Sequence, residues 1–333
     1  MGAELAGEAA SLAGATRAVR ECPACSAAAY EEVGARATSF EMSVAGQVFR
    51  QPEYTIRRCA RCDLYYKSHT LSEPQLDAYY AVLDSAPFEY DGDFPTDRAV
   101  ARMLGKLRPG SRVLDFGCST GRMLKDFAAT LVCEGVEPNA EAAAIAGRRG
   151  IRIRSEADVR GTGVAPFDAI VLADVHEHLP RPVELLEMLA SRLAPGGWLV
   201  IVTGNADAVR YRDLLSECWY FRLPGHLQML SERHAAWLAG RLALDLEELH
   251  RCSHYETPAF ERVRQSVQAW LYHQFRMAPA RLVTSILRRV PRLRDAERWP
   301  TAPALTHTRD HVVVRLRNSL AALPTSTSLN PST

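Results

Sequence analysis

The chain has 333 residues, of which 47% are hydrophobic and 24% are charged, and its formal net charge is +1. That length can bury one large core or two smaller ones. The near-neutral charge gives no overall reason to expect nucleic-acid binding. No apolar run approaches the roughly 20 residues needed to span a bilayer. No basic segment followed by an apolar one begins the chain, so we expect no secretory signal and a cytoplasmic protein.

Two Cys-x-x-Cys pairs lie near the N-terminus, Cys22 with Cys25 and Cys59 with Cys62. Two thiolates on one tight turn can take adjacent corners of a tetrahedron, so both pairs together predict a closed Cys₄ zinc site. A closed site has no open position and would fold its module rather than do chemistry. Buried free thiols or a decayed metal site are the alternatives. The segment between the pairs favours a small antiparallel ribbon, because it alternates in places and contains turn glycines.

A strand, a glycine loop and a helix are predicted over Arg112–Phe116, 117–121 and 122–129. Gly117 and Gly121 let the backbone pass close to a ligand, and the free N–H groups of the loop favour polar or anionic groups. The loop therefore predicts a nucleotide-like ligand. Its spacing, Asp-x-Gly-x-x-x-Gly, differs from the Gly-x-Gly-x-x-Gly that binds a dinucleotide.

Helices and strands then alternate, which predicts a mostly parallel, doubly wound sheet. Strands are predicted over 133–137, 151–153, 167–172 and 198–203, and helices over 96–107, 140–149 and 182–193. Glu137 ends the second strand, about 20 residues after the glycine loop, where an acid can bind the two hydroxyls of a ribose. The alternative is a solvated acid at a strand end.

Several motifs resemble, in order, the signatures of class I S-adenosylmethionine-dependent methyltransferases. They are Asp115-x-Gly117-x-x-x-Gly121, Glu137, Phe167–Ile170, Glu177-His178-Leu179 and Leu193–Gly197. The resemblance implies an α/β, Rossmann-like, seven-stranded doubly wound sheet whose last strand is antiparallel. It also implies S-adenosylmethionine as cofactor. The cofactor-binding residues that it implies are Asp115, Gly117, Cys118, Ser119, Gly121, Glu137, Pro138, Asp158 and Asp174.

The resemblance also divides the chain. The predicted units are a disordered leader (1–20), a zinc-binding module (21–70), a helical linker (71–94), the methyltransferase core (95–253), a helical insertion or cap (254–304), the final strand of the core (305–320) and a disordered tail (321–333). The insertion carries apolar residues at helical spacing and many arginines. A basic amphipathic face of this kind could contact a membrane surface or an anionic substrate.

The paired cysteines and the segment after the fifth strand resemble one branch of that family. It comprises methyltransferases of sugar and natural-product pathways, including zinc-containing C-methyltransferases of nucleotide-linked keto-sugars. That subfamily has tyrosines after the zinc module and a Glu-His pair after the fifth strand. Tyr79, Tyr80 and His226 match these positions here, and Gly225 stands where the subfamily has Glu.

Methyl transfer to a hydroxyl or a carbon acid gains about 10²–10⁴-fold from a general base. His226 is the first candidate because it follows the fifth strand, at the ligand-binding edge of the sheet; a structural histidine is the alternative. His178 is the second candidate. Tyr79 and Tyr80 either close the active site or pack between the zinc module and the core. Metal binding by 176–178 is disfavoured, because the sequence offers no third ligand beside it.

The sequence thus predicts methyl transfer to a small molecule, namely a nucleotide-linked sugar or a natural-product intermediate. One alternative is O-methylation of another metabolite or a lipid-linked glycan. Another is a zinc-containing protein that binds or modifies nucleic acid. The near-neutral charge disfavours nucleic acid, as does Ala173–His176, which stands where an Asn-Pro-Pro-Tyr-like segment would follow the fourth strand.

Overall fold

The computed structural model of the chain describes residues 16–83, 94–276, 281–290, 294–299 and 301–319. The predicted tail, most of the predicted leader and residues 84–93 of the predicted linker lie outside these ranges. Within the described ranges, none of the helices combines the length and the apolar character needed to cross a membrane.

A small antiparallel module comes first. Its strands are β1 (Thr16–Ala18), β2 (Tyr30–Ala37), β3 (Phe40–Val44), β4 (Gln47–Gln51), β5 (Tyr54–Cys59), β6 (Tyr65–Lys67) and β7 (His69–Leu71). Strand β5 pairs with β2 and β6, and β3 pairs with β4. The prediction of a disordered leader over 1–20 is wrong at its end, because β1 pairs antiparallel with β7 and Arg17 bonds to Glu73 at 2.8 Å.

Helices and strands alternate in the rest of the chain. They are α1 (Glu73–Val82), α2 (Pro95–Leu104), β8 (Arg112–Phe116), β9 (Val132–Val136), α3 (Ala140–Arg148), β10 (Arg152–Arg154), α4 (Glu156–Arg160), β11 (Phe167–Ala173), α5 (Pro182–Ala190), β12 (Leu193–Gly204), β13 (Gln228–Met229), α6 (Glu232–Arg241), β14 (Asp245–Cys252), α7 (Ala259–Arg276), α8 (Arg281–Leu287) and β15 (His311–Arg317).

Seven strands form the main sheet, in the order β10-β9-β8-β11-β12-β15-β14. Strand β15 runs antiparallel to both of its neighbours, whereas the other pairs between adjacent strands are parallel. The predicted seven-stranded sheet with an antiparallel last strand is therefore confirmed. Because β15 runs in the opposite direction, its first residue, His311, lies opposite Gly204 at the edge where the parallel strands end.

Buried apolar side chains cover both faces of this sheet. On one face, Leu114, Ile170 and Leu199 pack in a cluster with α5 and α6. On the other face, Val113 and Val171 pack in a cluster with α2. Adjacent residues of a strand point to opposite faces, so these apolar runs are buried on both sides. This buried core holds in place the sheet edge at which the parallel strands end, and the candidate site lies at that edge.

The predicted helix over 122–129 is wrong, because this segment contains turns and a single 3₁₀ helix at Lys125–Phe127. Leu124 and Phe127 each donate a backbone hydrogen bond to a carbonyl three residues back. Met123 and Leu124 are buried, and the segment returns to β9 at Val132 without regular α-helical turns. The predicted helix over 182–193 ends earlier, at Ala190, because Leu193 pairs with Phe167 in the sheet.

The N-terminal module is attached to the core by apolar packing, such as that of Tyr54 and Ile56 with Phe221, and by polar contacts. The short strand β13 pairs with β6, so the segment after β12 joins the module's own sheet. The Ser231 hydroxyl donates to the Asp63 carboxylate at 2.7 Å, and His234 Nδ1 lies 2.8 Å from the Cys62 carbonyl oxygen. Structural changes at the cysteines can therefore alter the position of the segment that carries His226.

Candidate functional site

The glycine loop follows β8 at the carboxyl edge of the sheet. Gly117 and Gly121 have φ values of +83° and +79°, in the left-handed region. A Cβ on Gly117 would lie 2.5 Å from Cγ2 of Val175, and one on Gly121 would lie 2.2 Å from Cδ1 of Ile151. Both positions therefore require glycine for conformation and for space.

Two carboxylates meet at this loop. Asp115 is buried, and its Oδ1 has no hydrogen-bond partner among the described residues. Burial, together with the nearby charge of Glu137, raises the pKa of Asp115 to about 7. Glu137 accepts hydrogen bonds from the backbone N–H groups of Ser119 and Asn139, both at 2.8 Å. A cationic group bound here would stabilise the charged form of Asp115.

The other predicted cofactor residues differ in position. The Cys118 side chain packs in the core, so only its backbone faces the loop. Pro138 is exposed, beside the Asn139 side chain that caps α3. The Asp158 carboxylate accepts a hydrogen bond from Ser155 N at 3.0 Å, in a capping box at the start of α4. Asp158 therefore has a structural role that requires no ligand.

Three of the four predicted catalytic side chains meet at one place. Ligand atoms of Glu177, His178 and His226 all lie within 4.8 Å of one another. The Tyr80 hydroxyl lies 2.9 Å from His178 Nδ1 and donates to the carbonyl oxygen of Gly225 at 3.1 Å. These residues come from distant parts of the sequence, and the sequence predicted Tyr80, His178 and His226 as candidates without their contacts.

Tyr79 lies beside this cluster in an apolar contact, and its Cε1 would lie 3.1 Å from a Cβ on Gly225. It is buried, and its ring lies 5.3 Å from that of Phe49 in an edge-to-face arrangement. A Cβ on Gly225 would lie 2.6 Å from the Tyr80 hydroxyl oxygen. The glutamate of the resembling subfamily would therefore collide with Tyr80 in this chain, which gives a physical reason for the glycine.

The surroundings of His226 favour its neutral form. Burial, followed by the positive potentials of His178 and Lys67, holds the pKa of His226 well below its usual value. Its Nδ1 is buried and has no hydrogen-bond partner among the described residues. The ring lies 4.2 Å from that of Tyr220, measured between centroids. A neutral imidazole at this position can accept a proton at physiological pH.

Sequence reasoning missed several polar residues around His226. Thr203 donates to Glu177 Oε2 at 2.9 Å, and the hydroxyl of Tyr220 accepts from Gly204 N at 2.7 Å. Lys67 is fully buried, and burial lowers its pKa to about 7. Its ammonium donates to the Leu223 carbonyl oxygen at 2.9 Å. No sequence signal identifies Lys67, since a lysine in a short strand is normally exposed.

A second polar cluster lies at the same edge of the sheet. Ligand atoms of Asp174, His254 and His311 lie within 4.8 Å of one another. Asp174 follows β11, as the sequence predicted for a site residue. The two histidines were missed, although the position of His311 at the start of the last strand could have placed it at this edge.

A cavity of about 60 Å³ lies beside both clusters. It is lined by the segment after β12, by Ala269 of α7 and by residues 302–308, and its polar lining residues are Asn205, Arg210, Thr308 and Asp310. Most of its remaining lining is apolar or aromatic and includes Leu214, Trp219, Tyr220, Met229 and Leu305. The predicted insertion therefore lines a pocket at the carboxyl edge of the sheet.

The four paired cysteines converge in the N-terminal module. Their sulfur atoms lie within 4.8 Å of one another, with Cys22–Cys62 and Cys25–Cys59 separations of 3.4 Å. A tetrahedral zinc ion with Zn–S bonds of about 2.3 Å would hold its sulfur ligands about 3.8 Å apart. The donor set and spacing therefore fit a closed Cys₄ zinc site.

The decisive comparison is with a family of known domains. Residues 93–249 match the family model for a methyltransferase domain. The match covers the glycine loop and the main sheet, except β15 and the last three residues of β14. The matched residues include Asp115, Glu137, His178 and His226.

Individual relatives share parts of this domain. The ubiquinone biosynthesis O-methyltransferase of Caulobacter sp. (strain K31) is 31% identical over 105 residues, which are 29% of this chain and 42% of that protein. The probable tRNA methyltransferase 9B of Mus musculus is 30% identical over 191 residues, which are 54% of this chain and 38% of that protein. The chain thus spans less than half the length of both relatives.

Among solved structures, N-methyltransferase NodS from Bradyrhizobium japonicum WM9 in complex with S-adenosyl-L-homocysteine is similar, with a TM-score of 0.43 and 16% identity. The likeness covers 74% of this chain and 97% of that one. Together, the matched family model and the relatives' names support an S-adenosylmethionine-dependent methyltransferase.

Proposed function

We propose that this chain transfers a methyl group from S-adenosylmethionine to a small molecule. The observation that carries the proposal is the pair of carboxylates at the glycine loop, with Asp115 buried and its Oδ1 lacking a partner among the described residues. Asp115 would hold the ammonium of the cofactor, and Glu137 would accept from its ribose hydroxyls.

The bound cofactor supplies an electrophilic methyl group, so the protein must orient the acceptor and remove its proton. His226 would accept that proton as the general base. Tyr80 and His178, hydrogen-bonded to each other at 2.9 Å, would hold the loop that carries His226. The lining of the cavity by α7 and residues 302–308 would exclude water from the acceptor.

Among the acceptor classes expected from the sequence, the wall of the cavity favours a natural-product intermediate, of which a space of about 60 Å³ would admit a small apolar group. This wall is mostly apolar, with Trp219 and Tyr220 available for stacking. A nucleotide-linked sugar would need several polar partners for its diphosphate and hydroxyls. The O-methylation of another metabolite or a lipid-linked glycan is compatible with the same base.

A tRNA acceptor is the alternative from another class, and the name of the mouse relative is what raises it. The net charge of +1 supports it poorly, because phosphate contacts require basic surface. This alternative would be favoured if bulk tRNA is methylated at a rate that falls steeply as the salt concentration rises. We further propose that the four cysteines hold a structural zinc ion, and a cytoplasmic location stays a prediction.

The Asp115→Asn substitution is expected to weaken S-adenosylmethionine binding by about 10–100-fold, because a hydrogen bond to a charged group contributes about 1.5–3 kcal/mol. In the wild type, affinity should rise with pH up to about 7, as Asp115 becomes ionised. It should fall again above about 8, where the cofactor's α-amino group loses its proton. Isothermal titration calorimetry across this pH range measures both effects.

The matched control is Asp126→Asn, which makes the same change at an exposed carboxylate in the segment after the loop. This variant should bind like the wild type. The ligand-free Asp115→Asn chain should melt at a higher temperature than the wild type, since a buried unpaired charge is removed. No heat on adding the cofactor to the wild type would end the proposal.

The predicted membrane contact of the insertion also stays a proposal. Helix α7 exposes an apolar row, with Phe260 79% and Val263 64% exposed. Arginines outnumber acids in residues 259–299, which suits an anionic lipid surface. We expect co-sedimentation with phosphatidylserine-containing vesicles, reduced at least about tenfold in the double variant Phe260→Ser/Val263→Ser. Equal sedimentation of the variant, or of the wild type with phosphatidylcholine alone, would contradict it.

A further inference from the structure

Four buried polar atoms at the carboxyl edge of the sheet make no hydrogen bond among the described residues: Asp174 Oδ1, His254 Nδ1, Asp310 Oδ2 and His311 Nδ1. The His311 ring lies between two carboxylates, with Nε2 3.7 Å from Asp174 Oδ1 and Nδ1 3.5 Å from Asp310 Oδ1, which is longer than an ordinary N–H···O hydrogen bond. Buried polar atoms are normally paired, and a group of such atoms in one place needs an explanation, such as an ion. The proposed methyl transfer, as described above, uses neither histidine.

The geometry of this cluster is that of metal ligands. Asp174, His254 and His311 each offer one ligand atom, and these atoms lie within 4.8 Å of one another. The residues follow β11, follow β14 and begin β15, so the sheet itself fixes their positions. The other cluster differs, because His178 Nδ1 and Glu177 Oε2 already have protein partners at 2.9 Å.

We propose that Asp174, His254 and His311 bind a divalent transition-metal ion. Imidazole and carboxylate ligands suit Zn²⁺, Fe²⁺, Co²⁺ and Ni²⁺, and a site with three protein ligands keeps a position for water or substrate. Asp310 would support the site, since its Oδ1 lies 3.5 Å from His311 Nδ1.

The location of the metal site indicates which ligand would occupy its open coordination position. Asp310 and Trp219 line the cavity, and the Trp219 ring stacks on His311 with centroids 6.2 Å apart. An acceptor lying in the apolar cavity would present an oxygen atom to the metal. This part of the inference rests on the proposed function, and it narrows the acceptor to an apolar or aromatic molecule with a hydroxyl or other oxygen donor.

The test is a titration of the full-length, zinc-loaded protein with Co²⁺, followed by visible absorption. We expect one further equivalent to bind, with weak bands from nitrogen and oxygen ligands. His254→Ala and His311→Ala should each weaken this binding by more than about 100-fold, because loss of even a supporting residue costs about 10–100-fold. His178→Ala, in the other cluster, should bind Co²⁺ like the wild type.

The proposal is overturned if no further Co²⁺ binds, if both variants retain it, or if the spectrum contains only thiolate-to-cobalt bands. Circular dichroism shows whether His311→Ala, which changes a strand residue, is folded; His254 lies outside the strands and provides the second variant. Calorimetry with S-adenosylmethionine and no Co²⁺ tests the methyl-donor site by itself. Cofactor binding without Co²⁺ binding would reject the metal site alone.

Discussion

The Cys59→Ser substitution is expected to abolish zinc binding and to unfold the N-terminal module. Structural zinc contributes about 10–16 kcal/mol of apparent binding free energy in small zinc modules at neutral pH. That amount is comparable to the whole stability of a typical domain, about 5–15 kcal/mol. Zinc content by mass spectrometry should fall from one ion per chain to none, and thermal unfolding should begin at a lower temperature.

The damage should extend beyond the module. Cys62 and Asp63 contact His234 and Ser231 of the core, and β6 pairs with β13 just after His226. We therefore expect a chelator to lower turnover as well as stability, while cofactor binding at the distant glycine loop is reduced less.

The matched control is Cys218→Ser, a half-buried cysteine outside the cluster, which should keep its zinc. Zinc retained by Cys59→Ser, or zinc-free wild-type protein with full stability, would refute the structural role.

The His226→Ala substitution is expected to lower kcat by about 10²–10⁴-fold, the usual contribution of a general base. Cofactor affinity should stay the same, because His226 lies after β12, whereas Asp115 lies at the end of β8 and Glu137 follows β9. Turnover is measured as S-adenosylhomocysteine release, with hydroxylated aromatics and nucleotide-linked sugars screened as acceptors. Rates are then compared on the acceptor that turns over.

The pH profile gives a second readout. Since the pKa of His226 is lowered, the imidazole stays neutral from physiological pH into mildly acidic solution. Wild-type kcat should therefore persist below pH 6.5, the usual pKa of histidine, and fall only as the pH passes through the lowered value. A fall centred near pH 6.5 would point to another base. His250→Ala, on the edge strand β14, is the control, and unchanged turnover in His226→Ala would remove His226 from this role.

Local sequence patterns were sufficient for much of the fold. The strand over Arg112–Phe116 has the predicted ends. The two Cys-x-x-Cys pairs predicted a cluster that the structure brings together. Such features depend on periodicity, caps and short spacings, which neighbouring residues determine.

The tertiary structure alone decided the rest. Tyr80 meets His178 across a sequence separation of 98 residues, and β1 is ordered only because it pairs with β7. The segment after Gly121 has helical spacing, yet it folds into turns and one 3₁₀ helix with Met123 buried. His254 and His311 join Asp174 because β15 runs antiparallel and brings its start to the edge where β11 ends. The glycine loop is thus determined by the sequence around it, whereas the acceptor side depends on how distant segments pack, which no local pattern encodes.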